Sequence, residues 1–154
     1  MTETNAHKQR SPEVTTTAME TLLPALDDAR MEASARLDPR RRAQMGQFLT
    51  PSPVATFMAG MFDCGKSTIR ILDPGAGAGS LCAALVLTLC ERCRHPDTIT
   101  VTGYEIDPIL VGYLRQTLDR CRRACADVGI SFRARLIDQD FLEAGANGLA
   151  GDLF

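Results

Sequence analysis

The sequence has little net charge and no long apolar run, and both absences limit what the chain does. Its 154 residues carry 17 Lys and Arg against 19 Asp and Glu, a formal net charge of −2. The whole chain therefore offers no strong electrostatic attraction to nucleic acid or to an anionic membrane. No window approaches the roughly 18 apolar residues of a membrane span, and the start MTETNAHKQRSPE lacks the apolar stretch of a signal peptide. We expect a cytoplasmic protein without a membrane partner, in which any DNA contact is local or lies outside this chain.

Six cysteines without a secretory signal predict reduced thiols. Four of them, Cys90, Cys93, Cys121 and Cys125, form a CxxC and a CxxxC pair of the kind that zinc sites also use. Both pairs fall inside helical patterns, at i,i+3 and i,i+4 spacing, where cysteine packs like a small apolar residue. Packing is the favoured interpretation, and no metal ligand is predicted.

The length allows one modest domain with additions at its N-terminus. We expect a disordered tail over residues 1–12 and a helical extension over residues 13–45. In that extension a helix is predicted from Glu13 to about Leu37, with a break or bend at Pro24. Its apolar stripe consists of Met19, Leu22, Leu23 and Leu26. Arg40 to Arg42 are interpreted as a solvated loop, with phosphate contact as the alternative.

The stretch GQFLTPSPVATFM combines a loop with the start of a helix. Ser52 is predicted as the N-cap and Pro53 as the first helical residue. The apolar residues Val54, Phe57, Met58 and Met61 then share one face of that helix. Phe48 lies in the loop before the helix, and on residue chemistry alone we expect it to fill the core.

The stretch ILDPGAGAGSL is an apolar run that stops at an acid and a proline and continues as three glycines. A buried strand over Ile69 to Leu72, a glycine turn and the apolar helix SLCAALVLTLCERC make the first half of a βαβ unit. Glycine lets another group approach the backbone closely, and the helix start exposes N–H groups that suit an anion. The turn therefore predicts a ligand site.

Two further strands are predicted, each ending near an acid. Thr98 to Tyr104 ends at Glu105, and a helix follows with Asp107 as its cap and Pro108 as its first residue. Ile130 to Ile137 leads to Asp140. In an open parallel sheet ligands bind beyond the carboxyl ends of the strands, so Asp73, Glu105 and Asp140 are expected to face one crevice.

The order of these acids indicates the ligand. An acid after the second strand is placed to accept hydrogen bonds from two ribose hydroxyls. NAD sites have G-x-G-x-x-G, whereas the spacing here is G-x-G-x-G, and Asp73 before the glycines repels a pyrophosphate but attracts an ammonium. S-adenosylmethionine carries the ribose and the ammonium without a phosphate, so it is the predicted cofactor.

From about Gly46 to Phe141 the chain resembles the amino-type adenine-N6 DNA methyltransferases of restriction-modification systems. GQFLTP is similar to the opening motif of that family, ILDPGAGAGSL to its glycine motif, GYEIDP to the next motif and DQDFL to the third. The resemblance implies an α/β fold, a Rossmann-like methyltransferase sheet that is incomplete here, with residues 46–154 as the N-terminal part of the catalytic domain. The cofactor residues that it implies are Phe48, Thr50, Pro51, Asp73, Gly75, Gly77, Glu105, Ile106, Asp140 and Phe141.

In more detail, the resemblance implies that Phe48, Thr50 and Pro51 line the pocket of the cofactor's methionine end. Glu105 is implied to bind the ribose, and Ile106 to pack against the adenine ring. Asp140 is implied to meet the adenine amino group, and Phe141 to pack on the ring.

The catalytic motif of that family, Asn or Asp followed by Pro-Pro and an aromatic residue, is missing from these 154 residues, which end in GDLF. In the family this motif holds a flipped-out adenine. We therefore expect the chain to be the cofactor-binding part of a DNA adenine methyltransferase, inactive by itself. DNA is the implied partner of the whole enzyme, with restriction or specificity subunits left open. The alternatives are a methyltransferase acting on RNA or on a protein glutamine, and a non-catalytic interaction module.

Overall fold

The structure is a computed structural model that describes residues 13–44, 46–62 and 65–148. The tail predicted over residues 1–12 lies outside these ranges, as does the final GDLF. The helices are α1 Glu13–Arg36, α2 Pro39–Gln44, α3 Ser52–Gly60, α4 Ser80–Glu91, α5 Pro108–Val128 and α6 Phe141–Gly148. The strands are β1 Thr68–Asp73, β2 Thr98–Tyr104 and β3 Ser131–Ile137.

The three strands form one parallel sheet in the order β1-β2-β3. Thr68 of β1 lies beside Thr98 of β2, which in turn lies beside Ser131 of β3, so the strands begin at the same level. Helices α4 and α5 are the crossovers that parallel strands require. The prediction of an α/β fold with an incomplete Rossmann-like sheet is confirmed.

Local sequence sets both ends of α5, and its start is as predicted. The Asp107 carboxylate accepts the N–H of Ile109 at 2.9 Å, and Pro108 follows as the first helical residue. Gly129 ends the helix with a φ of 83°, a left-handed conformation that favours glycine. These two caps fix where β2 stops and where β3 begins.

The main core lies between one face of the sheet and the helices α1, α4 and α5. Its buried members include Leu26, Val86, Leu87, Ile99, Val101, Leu114, Leu118 and four cysteines, Cys82, Cys90, Cys121 and Cys125. The Cys90 and Cys125 sulfurs are 3.7 Å apart, and burial raises the pKa of the Cys121 thiol to about 12. These cysteines therefore pack as apolar thiols, while Cys93 is exposed.

The opposite face of the sheet is exposed along both outer strands. Arg70 and Leu72 of β1 lie on that face, and Leu72 is 50% exposed. Arg133 and Arg135 of β3 are exposed as well. The buried side of the sheet is thus the side on which the crossover helices pack.

The N-terminal part agrees with its predictions only in part. α1 spans Glu13–Arg36, close to the predicted helix, and it continues through Pro24, so a break is absent there, whereas the predicted bend stays a prediction. Leu22, Leu23 and Leu26 contact the core as expected, while the side chain of Met19 lies outside the described part. Arg40 to Arg42 belong to the helix α2, so the loop predicted for them is wrong. The Asp38 carboxylate accepts the backbone N–H of Arg40 at 2.8 Å.

The helix α3 also differs from its prediction. Pro51 occupies the N-cap position and Ser52 is already helical, because the Ser52 hydroxyl donates to Asp27 of α1 instead of capping its own helix. Ala55 and Ala59 are the buried apolar residues of α3, and they pack with Ala84 of α4. The apolar residues predicted to share a face are exposed: Val54, Phe57, Met58 and Met61.

Among the described residues, no helix is long and apolar enough to cross a membrane. No group of three or more His, Cys, Asp or Glu within the same ranges is arranged to hold a metal ion.

Candidate functional site

A cleft of about 220 Å³ opens at the carboxyl ends of the three strands. This is the edge at which open parallel sheets bind their ligands. Four segments form its walls, namely the loop before α3, the glycine turn after β1 and the ends of β2 and β3. The lining residues are Gly46, Gln47, Phe48, Leu49, Pro74, Gly75, Gly77, Tyr104, Glu105, Ile106, Leu110, Gln139, Asp140 and Phe141.

Glu105 connects two walls of the cleft. Its side chain is 7% exposed, and one carboxylate oxygen accepts the N–H of Gly77 at 2.9 Å. The other oxygen accepts the N–H of Asp107 at 2.8 Å. A carboxylate offers about four acceptor positions, so two backbone bonds leave it able to accept from a ligand as well.

The glycine turn comes close to the loop that precedes α3. Gly77 has a φ of 57°, and a Cβ atom built on it would lie 2.9 Å from Cδ2 of Leu49. A Cβ atom built on Gly75 meets nothing within 4 Å, and Gly75 lines the cleft. The space beside Gly75 is thus available to a ligand.

Asp73 does not line the cleft, so the prediction of three acids in one crevice holds only for Glu105 and Asp140. Asp73 is the last residue of β1, and its carboxylate accepts the backbone N–H of Gly75. Burial raises the pKa of this carboxyl above its usual range. The acid therefore supports the turn through this hydrogen bond, within a poorly solvated environment.

Asp140 and Phe141 form the wall at the end of β3. One oxygen of Asp140 accepts the N–H groups of Leu142 at 2.7 Å and Glu143 at 3.1 Å, which caps α6. The ring of Phe141 meets that of Tyr104 edge to face, with centroids 5.1 Å apart. This pair gives the cleft an aromatic surface beside Ile106, which is 39% exposed.

The loop before α3 turns its two apolar residues in opposite directions. Phe48 is 80% exposed, so the expectation that it fills the core is wrong. Leu49 packs instead against the small core that includes Ala33, Leu37 and Ala78. Between Gly46 and Phe48, the Gln47 Oε1 atom is buried and has no hydrogen-bond partner.

Most of the predicted site residues come together at the cleft, and some lining residues were missed. Thr50, Pro51 and Asp73 are the predicted residues that do not line it. Seven lining residues were not predicted: Gly46, Gln47, Leu49, Pro74, Tyr104, Leu110 and Gln139. All of them except Gly46 and Leu110 directly precede or follow a predicted residue in the chain, and that adjacency was the available signal.

A parallel sheet with a glycine turn after β1 and an acid after β2 defines the Rossmann-like class of fold. Comparison with known structures agrees with this class. A crystal structure from Listeria monocytogenes, described as a candidate class I S-adenosylmethionine-dependent methyltransferase, superposes with a TM-score of 0.50 at 18% identity. The match covers 86% of this chain and 36% of the other.

The family model "N-6 DNA Methylase" matches residues 35–112, and the chain belongs to that family. A relative from Providencia stuartii, the type II methyltransferase M.PstI, is 34% identical over 124 residues, which are 80% of this chain and 24% of the relative. Another from Bacillus subtilis, the type II methyltransferase M.BsuBI, is 33% identical over 133 residues, 85% of this chain and 25% of the relative. The chain thus spans about a quarter of the length of these two proteins.

Proposed function

We propose that this chain binds S-adenosylmethionine in the cleft and is the cofactor-binding part of a cytoplasmic DNA adenine-N6 methyltransferase of restriction-modification type. The observation that carries the proposal is the meeting of Glu105, the glycine turn and Phe141 at one cleft in a chain of the N-6 DNA methylase family. M.PstI and M.BsuBI, the relatives that it matches, are both type II methyltransferases.

The residues of the cleft fit the chemical groups of this cofactor. The buried carboxylate of Glu105 accepts ribose hydroxyls through its remaining lone pairs, and Ile106 and Phe141 offer apolar surface to a purine ring. Asp140 is the acceptor for the adenine amino group. The unpaired Oε1 atom of Gln47 fits an N–H donor such as an ammonium, because a buried acceptor without a partner costs about 1–3 kcal/mol.

When bound, the cofactor supplies an electrophilic methyl group on a sulfonium. The residues of this protein bind and orient the cofactor. Glu105 fixes the ribose, and the glycine turn leaves room for the methionine part that carries the sulfur. Catalysis by positioning requires no covalent bond to the protein. The Asn/Asp-Pro-Pro-aromatic motif is missing from these 154 residues, so recognition of the target adenine in DNA is assigned to another part of the enzyme.

Isothermal titration of S-adenosylmethionine into the purified chain tests the first half of the proposal, with NADH as the control ligand. A Gly75→Leu variant places a side chain in the open space of the cleft and should abolish binding. Gly112→Leu is the matched control, because Gly112 is exposed on α5 and its Cβ also meets nothing within 4 Å. Equal binding by both variants, or no binding by the folded parent chain, contradicts the cofactor site.

Transfer of a labelled methyl group tests the second half. With adenine-containing duplex DNA we expect no transfer by these 154 residues, and transfer to DNA adenine by a longer form that carries the missing motif. Methylation of RNA or of a protein glutamine by that longer form would support the alternative substrates. A defined complex with another protein and no methylation at all would support the interaction module.

A further inference from the structure

Asp27 of α1 contacts the first residue of α3. Its Oδ1 atom accepts the backbone N–H of Ser52 at 3.1 Å and the Ser52 hydroxyl at 3.2 Å. The same oxygen accepts Nε of Arg30 at 2.8 Å, and Oδ2 lies 3.3 Å from an Nη atom of Arg30. The ion pair with Arg30 orients the carboxylate, and the carboxylate in turn fixes the position of Ser52.

Ser52 comes directly after the loop that forms one wall of the cleft. Gln47 and Phe48 line the cleft from this loop, and Phe48 is too exposed to anchor it. Leu49 holds the middle of the loop, since it packs against a small core that includes Ala33 and Leu37. Ala33 belongs to α1 and Leu37 follows it, so the loop packs at its middle against a core to which this helix contributes and is bonded to Asp27 at its end.

We propose that Asp27 is a positioning residue for the ligand: through Ser52 it holds the loop that carries Gln47 and Phe48 against the cleft. This inference rests on the proposed function, because the ligand is taken to be S-adenosylmethionine. Asp27 itself does not line the cleft. Its effect on the ligand is therefore indirect and depends on the hydrogen bonds that Asp27 accepts from the backbone N–H and the hydroxyl of Ser52.

The geometry predicts which half of the ligand depends on Asp27. Leu49 of the loop approaches Gly77, on the β1 side of the cleft, whereas Phe141 lies on the far side, after β3. Glu105 lies between them and is the ribose acceptor. An adenosine moiety is thus held by β2 and β3, and the amino-acid half of S-adenosylmethionine lies nearer the loop. Displacing the loop should weaken S-adenosylmethionine much more than adenosine.

The experiment compares Asp27→Ala with Asp119→Ala in the 154-residue chain. Asp119 forms an i,i+3 ion pair with Arg122 on α5, the same arrangement as Asp27 with Arg30, and both of its side chains are about half exposed. Both substitutions place alanine in a helix, so the change in helix propensity is the same. The readouts are the dissociation constants of S-adenosylmethionine and of adenosine, and hydrogen exchange of a peptide over residues 46–58 in the free chain.

We expect Asp27→Ala to bind S-adenosylmethionine about tenfold more weakly, as the loss of a hydrogen bond to a charged group predicts, with adenosine within about twofold of the parent. Exchange in the 46–58 peptide should rise in Asp27→Ala and stay unchanged in Asp119→Ala. Asp27→Asn keeps an acceptor oxygen for Ser52 and should recover most of the affinity.

Three results would overturn the inference. The first is an equal loss of affinity for both ligands, which would indicate general destabilisation. The second is an equal effect of the two alanine variants, and the third is unchanged hydrogen exchange in the 46–58 peptide of Asp27→Ala. If the parent chain binds no S-adenosylmethionine, the proposed function fails, and the exchange measurement still decides whether Asp27 holds the loop.

Discussion

Replacing Glu105 by glutamine should destabilise the fold much more than its near-identical shape indicates. The carboxylate accepts one backbone N–H on each oxygen, from Gly77 at 2.9 Å and from Asp107 at 2.8 Å. Glutamine has a single acceptor oxygen and an NH₂ group that only donates. Whichever way the amide is turned, one of the two N–H groups faces another donor.

The cost follows from these contacts and from burial. A hydrogen bond to a charged group contributes about 1.5–3 kcal/mol, and a buried donor left without an acceptor costs about 1–3 kcal/mol. Because Glu105 is only 7% exposed, water has little access to replace the lost acceptor. We expect a loss of about 3 kcal/mol in the free energy of unfolding. With an m value of about 2 kcal/mol/M in urea, the midpoint should fall by about 1.5 M.

Urea unfolding followed by circular dichroism measures this loss, with Glu91→Gln as the control. Glu91 is exposed at the end of α4, so the same chemical change there should leave the midpoint within about 0.3 M of the parent. If Glu105→Gln also stays within that range, the carboxylate does not join the glycine turn to α5, and the reasoning is refuted.

Three further predictions concern the glycine turn and the two acids that support the site. Gly77→Ala should cost about 1–2 kcal/mol in urea unfolding, because alanine is strained at a φ of 57° and its Cβ would lie 2.9 Å from Leu49; an unchanged midpoint would contradict this. Burial raises the pKa of Asp73, so its ionised form destabilises the fold increasingly as pH rises through the folded pKa. Asp73→Asn should therefore have a higher urea midpoint than the parent at pH 7, a difference that shrinks toward pH 4. The Arg30 guanidinium and the Ser52 N–H lower the pKa of Asp27 to about 2, so the stability that this acid contributes is present above about pH 4 and is lost as pH falls toward 2. At a side-chain exposure of 30% that contribution should be about 1 kcal/mol, and Asp27→Asn should lose correspondingly less stability than the parent between pH 5 and pH 2.5.

The fold was predictable where the determinants are local. Asp107 with Pro108 starts α5 and Gly129 ends it, as short-range capping rules require. The start of α3 was not predictable in this way, because Asp27, 25 positions earlier in the chain, takes the hydroxyl of Ser52. A serine before a helix is a cap only when no distant acceptor competes for it. The packing side of α3 was missed for another reason, because its buried residues Ala55 and Ala59 are too small to be recognised as a packing face in the sequence.

The site was predictable to the extent that strand ends determine it. Glu105 and Asp140 follow the last residues of their strands and line the cleft, as parallel topology dictates. Asp73 is still part of its strand, and its carboxylate accepts the N–H of Gly75 behind the turn. The role proposed for Gln47 was not predictable from the sequence, because only the folded loop shows that its amide oxygen is buried without a partner.

The three glycines of ILDPGAGAGSL turn out to serve different purposes. Gly79 has a φ of 87°, and a Cβ atom on it would lie 2.9 Å from both Leu114 and Thr117 of α5. Gly77 is required by its own positive φ and by the approach of the loop before α3. Packing within the protein therefore explains two glycines without any ligand. Gly75 alone of the three has open space where a side chain would stand, so it is the one glycine of this turn that close approach of a ligand explains.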